Sequence, residues 1–123
     1  MAQREDGNRE TLATIDLNGH ATPLQINHTT ERFEIEVDGR LAFLLFHQKG
    51  TTLSLIHTEV PAALEGKGLA GTLARTALDY ARNHAMSVKP FCPFVAAWLR
   101  RHPEYQSLVD PEFSTPHASG SDA

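Results

Sequence analysis

The sequence predicts an α+β fold: an antiparallel β-meander followed by a helix, a strand and a second helix. Three features point to it. Apolar Phe33, Ile35 and Val37 alternate with acidic Glu34, Glu36 and Asp38, the period of a half-exposed strand. Asp38-Gly39 then separates this run from a second apolar run over 41–46, and such a dipeptide closes a two-residue hairpin. After Pro61 the period becomes helical, with Leu69, Ala70, Leu73, Ala74, Ala77, Leu78 and Ala81 on one broad stripe.

Taken in order, residues 1–22 are polar and show no sustained period, so they read as a flexible N-terminal tail. The folded domain is expected over 23–110. Pro111, Ser114, Thr115, Pro116, Ser119, Gly120 and Ser121 mark 111–123 as a disordered C-terminal tail. Within the domain, 41–46 is apolar at every position, which predicts a strand covered on both faces. Lys49-Gly50 turns the chain into a strand over 51–59. Strict alternation there places Leu53, Leu55, His57 and Glu59 on one side, and Ser54, Ile56, Thr58 and Val60 on the other. A loop over 62–67 leads to a helix over 68–84, whose outward positions are Thr72, Arg75, Thr76, Asp79, Arg82 and Asn83. A short strand is expected over 86–91. Pro93 suits the first position of the next helix, with Cys92 as its cap. Phe94, Val95, Trp98 and Leu99 form that helix's apolar face, and Arg100 and Arg101 complement its C-terminal dipole. Pro103 opens a last short helix through Leu108.

The totals bound the function. The chain of 123 residues suits one domain, and 41% hydrophobic residues can build its core. No apolar run of about 18 residues is present, so no membrane span is expected. The first residues lack the apolar stretch of a secretory signal. The single cysteine, Cys92, excludes an internal disulfide and suits a reducing, cytoplasmic setting. The net charge of −4 and the lack of a basic stripe with interleaved aromatics argue against nucleic acid. His20, His28, His47, His84 and His117 show no metal-ligand spacing, so no metal is expected.

The most informative segment is Glu65-Gly66-Lys67-Gly68-Leu69-Ala70-Gly71, between a strand and a helix. The first turn of a helix leaves about four backbone N–H groups unpaired. Those groups and the helix dipole attract an anion. Glycines at 66, 68 and 71 would let the backbone approach a phosphate, and Lys67 adds charge. A Walker loop is excluded, because Gly68 rather than Ser or Thr follows Lys67. Gly66-x-Gly68-x-x-Gly71 matches the dinucleotide fingerprint in letters only. A proline-containing loop separates it from its strand, and Lys89-Pro90 stands where an acidic residue belongs.

The same segment resembles the acetyl-coenzyme A pyrophosphate loop of GNAT acetyltransferases, Gln/Arg-x-x-Gly-x-Gly/Ala. Gly68 and Ala70 match its last two positions, whereas Glu65 departs from its first. With His57-Thr58-Glu59-Val60-Pro61, Cys92-Pro93-Phe94-Val95 and Arg101-His102-Pro103-Glu104-Tyr105, the chain is similar over about residues 26–108 to the small GNAT-like proteins of the YidJ/NATD1 type. The resemblance implies a minimal GNAT fold and acetyl-CoA as cosubstrate. The cosubstrate would be held by Val60, Glu65, Gly66, Lys67, Gly68, Leu69, Ala70, Gly71, Cys92 and Tyr105. It further implies transfer to a small amine or a lysine-containing acceptor, by a monomer or weak homodimer. A CoA-binding module without turnover is the alternative.

Acetyl transfer needs an acceptor for the amine's proton and a route for the thiolate to leave. His57 and Glu59 share a strand face and are the candidate bases; an imidazole titrates near neutral pH. Cys92 lies where a helix N-terminus favours thiolate. It can donate a proton to the departing sulfur, accept acetyl itself, or simply pack as a small apolar residue. Tyr105 can act as an acid near the sulfur or, with His102, fix the last turns in place.

Overall fold

A computed structural model describes residues 8–113. A six-stranded sheet carries two helices on one face. Strands β1 (Arg9–Leu17), β2 (His20–Asn27), β3 (Arg32–Val37), β4 (Arg40–Lys49) and β5 (Thr52–Glu59) follow one another as antiparallel neighbours. Helix α1 (Leu69–Asn83) crosses over the sheet so that β6 (Ser87–Pro90) runs parallel to β5. Helix α2 (Pro93–Arg100) packs against α1, β5 and β6. Short 3-10 helices occupy Ala62–Leu64 and Pro103–Leu108. This is the α+β order expected, preceded by one further hairpin.

That hairpin corrects the expectation of a tail over 1–22. Residues 9–22 belong to β1 and the start of β2; residues 1–7 lie outside the described residues. Asn18 (φ 55) and Gly19 (φ 82) form its turn, both left-handed as Asp38 (φ 52) and Gly39 (φ 79) are between β3 and β4. Irregular pairing between Thr11 and Ala13 breaks the period along β1 and hides it from pattern reading. Leu24 and Ile26 of β2 are fully buried, while Leu12, Ala13, Ile15 and Leu17 of β1 pack on the core margin. The C-terminal tail call over 111–123 falls on 114–123 outside the described residues. Residues 111–113 are described, and there the Phe113 ring packs edge-on against Phe91 at 5.0 Å.

The core lies between one sheet face and the helices. Phe33, Ile35, Ala42, Leu44, Leu53 and Leu55 meet Leu73, Ala77, Leu78, Val95 and Leu99 there. The expectation that 41–46 is covered on both faces is corrected. Ala42, Leu44 and Phe46 are buried, but Leu41, Phe43 and Leu45 are only half-buried and lie outside the core. No described helix reaches the opposite face of the sheet, so these side chains rely on neighbours such as Arg32, whose guanidinium sits 5.0 Å from the Phe43 centroid.

A second correction concerns β5. Leu45 pairs with His57 but Phe46 pairs with Leu55, so Ile56 is an extra residue in β5. One inserted residue sends every later side chain to the other face. Leu53 and Leu55 therefore face the helices, whereas His57 and Glu59 project from the uncovered face and Thr58 turns to the helix side. Strict alternation across 51–59 fails at this bulge.

Candidate acetyl-transfer site

The site begins where β5 and β6 part. Their pairing runs from Thr52–Ser87 to Leu55–Pro90 and stops. Pro90 has no N–H to continue a ladder. The Cys92 N–H makes the last link, donating to the Leu55 carbonyl at 2.8 Å. From there the chain turns into α2, while β5 runs on to Glu59 with no strand along that edge among the described residues. Residues 56–59 thus border a gap between diverging elements. Thr58 Oγ1 and Cys92 Sγ meet across it at 3.3 Å.

The start of α1 stands beside the same end of β5, only the turn and Gly-rich loop intervening. Its N-cap is Gly68, with no side-chain capping bond and no acidic residue in the first turn. The first ladder bond is Thr72 N–H to the Gly68 carbonyl at 3.1 Å. The helix therefore keeps the unpaired amides and positive dipole end that attract an anion. Gly66 (φ 84) and Gly68 (φ 75) are left-handed, and nothing lies within 4 Å of where a Cβ would stand on either. Gly71 differs: it lies inside α1 with no left-handed φ, and an added Cβ would stand 3.7 Å from the Trp98 indole nitrogen, an ordinary contact between α1 and α2. Glu65, Gly66, Lys67 and Gly68 are exposed, Leu69 is buried, and Val60 and Ala70 are half-buried.

On the uncovered face, His57 Nε2 lies 3.3 Å from Glu59 Oε1, and both side chains are more than half exposed. The Phe43 ring flanks His57 at 6.2 Å between centroids. The three candidate catalytic residues thus fall in two groups: His57 and Glu59 on the open face, Cys92 within the gap and only 2% exposed. Thr58, which holds Cys92, escaped the sequence reading because the bulge that turns it inward leaves no periodic signal.

Tyr105 sits elsewhere, in the groove between α1 and the last 3-10 turn. Its hydroxyl donates to Asp79 Oδ1 at 2.7 Å and accepts from Arg75 Nη1 at 3.4 Å. Burial first, and then the Asp79 carboxylate, raise its pKa above the ordinary phenol value. Trp98 stacks on His102 at 3.6 Å and on the Arg75 guanidinium at 5.2 Å. His102 Nδ1 lies 2.8 Å from the Trp98 carbonyl oxygen. This cluster fastens the C-terminal segment to α1. Among the described residues no three His, Cys, Asp or Glu side chains are grouped to hold a metal ion.

A Gly-rich, uncapped helix start following a strand is the loop arrangement that the sequence implies. Residues 32–108 also match the family model of the GCN5-related N-acetyl-transferases. The chain belongs to this acetyltransferase family. It is 31% identical over 101 residues to Protein NATD1 of Gallus gallus, a match covering 78% of this chain and 92% of that protein. Protein NATD1 of Danio rerio gives the same identity and shares. Protein NATD1 of Homo sapiens is 31% identical over 91 residues, covering 70% of this chain and 80% of the human protein. The matched family region, 32–108, spans β3 to the last 3-10 turn and so includes the whole gap and both flanking groups.

Proposed function

We propose that this member of the family binds acetyl-CoA and transfers its acetyl group directly to a primary amine. One observation carries the reading: α1 begins with unpaired amides, and β5, the strand that leads to it, has no pairing with β6 beyond Leu55. The residues present fit the ligand, since no side chain blocks Gly68 and no Cβ crowds the loop. Backbone donors at Leu69, Ala70 and Gly71, with Lys67 beside them, would grip the diphosphate. The free edge of β5 would accept the pantetheine as an extended partner. Bound acetyl-CoA supplies the activated thioester.

The chain's own part is proton handling and orientation. Transfer forms an N–C bond and breaks a C–S bond. His57 or Glu59 takes the amine's surplus proton on the open face, where an acceptor can arrive without displacing a helix. Thr58 and Cys92, hydrogen-bonded to each other across the gap, would protonate the departing sulfur. The burial of Cys92 favours this role over that of an acetylated nucleophile.

Calorimetric titration with CoA, followed by thiol release from acetyl-CoA over an amine series, tests the reading. Heat of binding and amine-dependent thiol release are expected. His57→Ala with Glu59→Gln should lower kcat by roughly 10²-fold or more. Binding without thiol release from any amine would leave only a CoA-binding module, and no heat at all would remove both.

A further inference from the structure

The mouth of the gap is apolar on both banks. Among the described residues, two large apolar side chains stand exposed, Ile56 and Phe91, and both lie where the β5–β6 ladder ends. Regular parallel pairing beyond Leu55–Pro90 would have the Phe91 N–H donate to the Leu55 carbonyl. Cys92 makes that bond instead, and the Phe91 N–H turns back to the Lys89 carbonyl at 3.0 Å. Phe91 is therefore looped out after β6, level with Ile56, the extra residue of β5. Lying between buried Pro90 and Cys92, it points away from the core and is 56% exposed, its ring braced edge-on by Phe113.

Each of the two precedes a proposed site residue: Ile56 comes just before His57, and Phe91 just before Cys92. The cross-strand partner of His57 is Leu45 and that of Glu59 is Phe43, both half-buried on the uncovered face. Leu45, Ile56 and Phe91 thus form an apolar row across three adjacent segments, about 10 Å long by strand spacing. Two cations border the row. Arg32 pairs with Leu45, and Lys89 pairs with Ser54, whose place between buried Leu53 and Leu55 puts both on the uncovered face.

For an amine nitrogen to reach His57 and Glu59, the rest of the acceptor must lie against this same face. We infer that the acceptor is an apolar primary monoamine, alkyl or arylalkyl, whose body rests on Leu45, Ile56 and Phe91 while its nitrogen meets His57 and Glu59. The inference rests on the acetyl-transfer reading and names its substrate class. Burial of apolar surface holds such a body, whereas a second ammonium would face Arg32 and Lys89. The apolar seat also disfavours the ammonium form and so supplies the neutral amine that attacks the thioester. The N–C bond forms as the C–S bond breaks. The surplus amine proton passes to His57 or Glu59, and the departing sulfur takes one from the Thr58–Cys92 pair.

Two measurements separate failure of the inference from failure of that reading. The first compares kcat/KM for 2-phenylethylamine, for 1,4-diaminobutane and for a short lysine peptide. Phenylethylamine should lead. Phe91→Ser removes an exposed ring without touching the core, and should cut the lead over diaminobutane roughly five- to tenfold, the effect of losing about 40–55 Å² of apolar contact. The second follows backbone amide shifts on adding phenylethylamine without cofactor. Shifts at residues 45, 56, 57 and 91 are expected, and should weaken in Phe91→Ser. Such shifts without any acetyl transfer would sustain the apolar amine site and sink the transfer reading. Transfer that favours diaminobutane or the peptide, or a lead indifferent to Phe91→Ser, would overturn the inference while sparing transfer.

Discussion

Strand β5 is two different structures joined at Ile56. Before the bulge, Leu53 and Leu55 are fully buried and paired on both sides, by β4 and β6. After it, His57 and Glu59 are exposed, one edge is free, and Thr58 reaches only to Cys92. A single inserted residue thus separates a stretch that holds the fold from one whose exposed side chains are the proposed bases. Stability and function then become separable by substitutions only one residue apart.

The sharpest test of that separation is also the largest effect. Leu55 is 0% exposed, so Leu55→Ala should cost about 2–5 kcal/mol, lost burial and residual cavity together. Ile56, next along the chain, is 37% exposed in the bulge, and Ile56→Ala should cost about 1 kcal/mol or less. Urea unfolding at 25 °C measures both. Equal losses would mean that the bulge is no boundary.

The next effect contrasts two glycines of one loop-helix junction. Gly68 has φ 75, a region where a Cβ costs roughly 1–2 kcal/mol, so Gly68→Ala should destabilise by about that much and weaken CoA binding as the helix start shifts. Gly71 lies inside α1, and its added methyl would meet Trp98 at 3.7 Å, an ordinary contact. Gly71→Ala should therefore be neutral or stabilise by about 0.5 kcal/mol. Thermal melts with and without CoA read both quantities. A Gly71→Ala loss as large as that of Gly68→Ala would erase the distinction.

The same boundary explains what was legible in advance. The meander over β3–β5, α1, β6 and α2 carried regular periods, caps and turn residues, because each buries one regular face. The Gly-rich helix start was legible because an unpaired amide cluster needs only local sequence to exist. The bulge was not, since Ile56 and His57 differ from a normal alternation only through their register with Leu45 and Phe46. The β1–β2 hairpin was half hidden for the same reason: pairing slips between Thr11 and Ala13, and β1 is an edge strand whose apolar residues are only partly buried. Tyr105 stands in the motif whose resemblance implies cofactor contact, and the motif alone does not reveal what its hydroxyl meets. Its hydroxyl's partners, Asp79 and Arg75, lie a long way back along the chain and become neighbours only through folding.

That tyrosine supplies the smallest effect and the control far from β5. Tyr105→Phe removes the bonds to Asp79 and Arg75 but keeps the packing against Trp98, where ring centroids are 5.3 Å apart. Asp79 is half-exposed and can rehydrate, so the loss should be about 1 kcal/mol at neutral pH. The pH dependence has a definite sign. In the folded chain the Tyr105 pKa is raised above 10.0 by burial first and Asp79 next, so the unfolded chain releases that proton at lower pH. The native state then binds more protons than the unfolded state, and stability falls as pH rises. The contribution is fully present below pH 10 and is lost as pH climbs through the raised value. Tyr80, raised by burial and by Glu10, adds a decline of the same sign. Urea titrations between pH 7 and 11 should show wild type losing stability more steeply than Tyr105→Phe above pH 10, with a residual slope from Tyr80. Identical slopes would mean that the Tyr105 phenol ionises as freely in the fold as out of it, and that the Asp79 bond does not anchor the C-terminal segment.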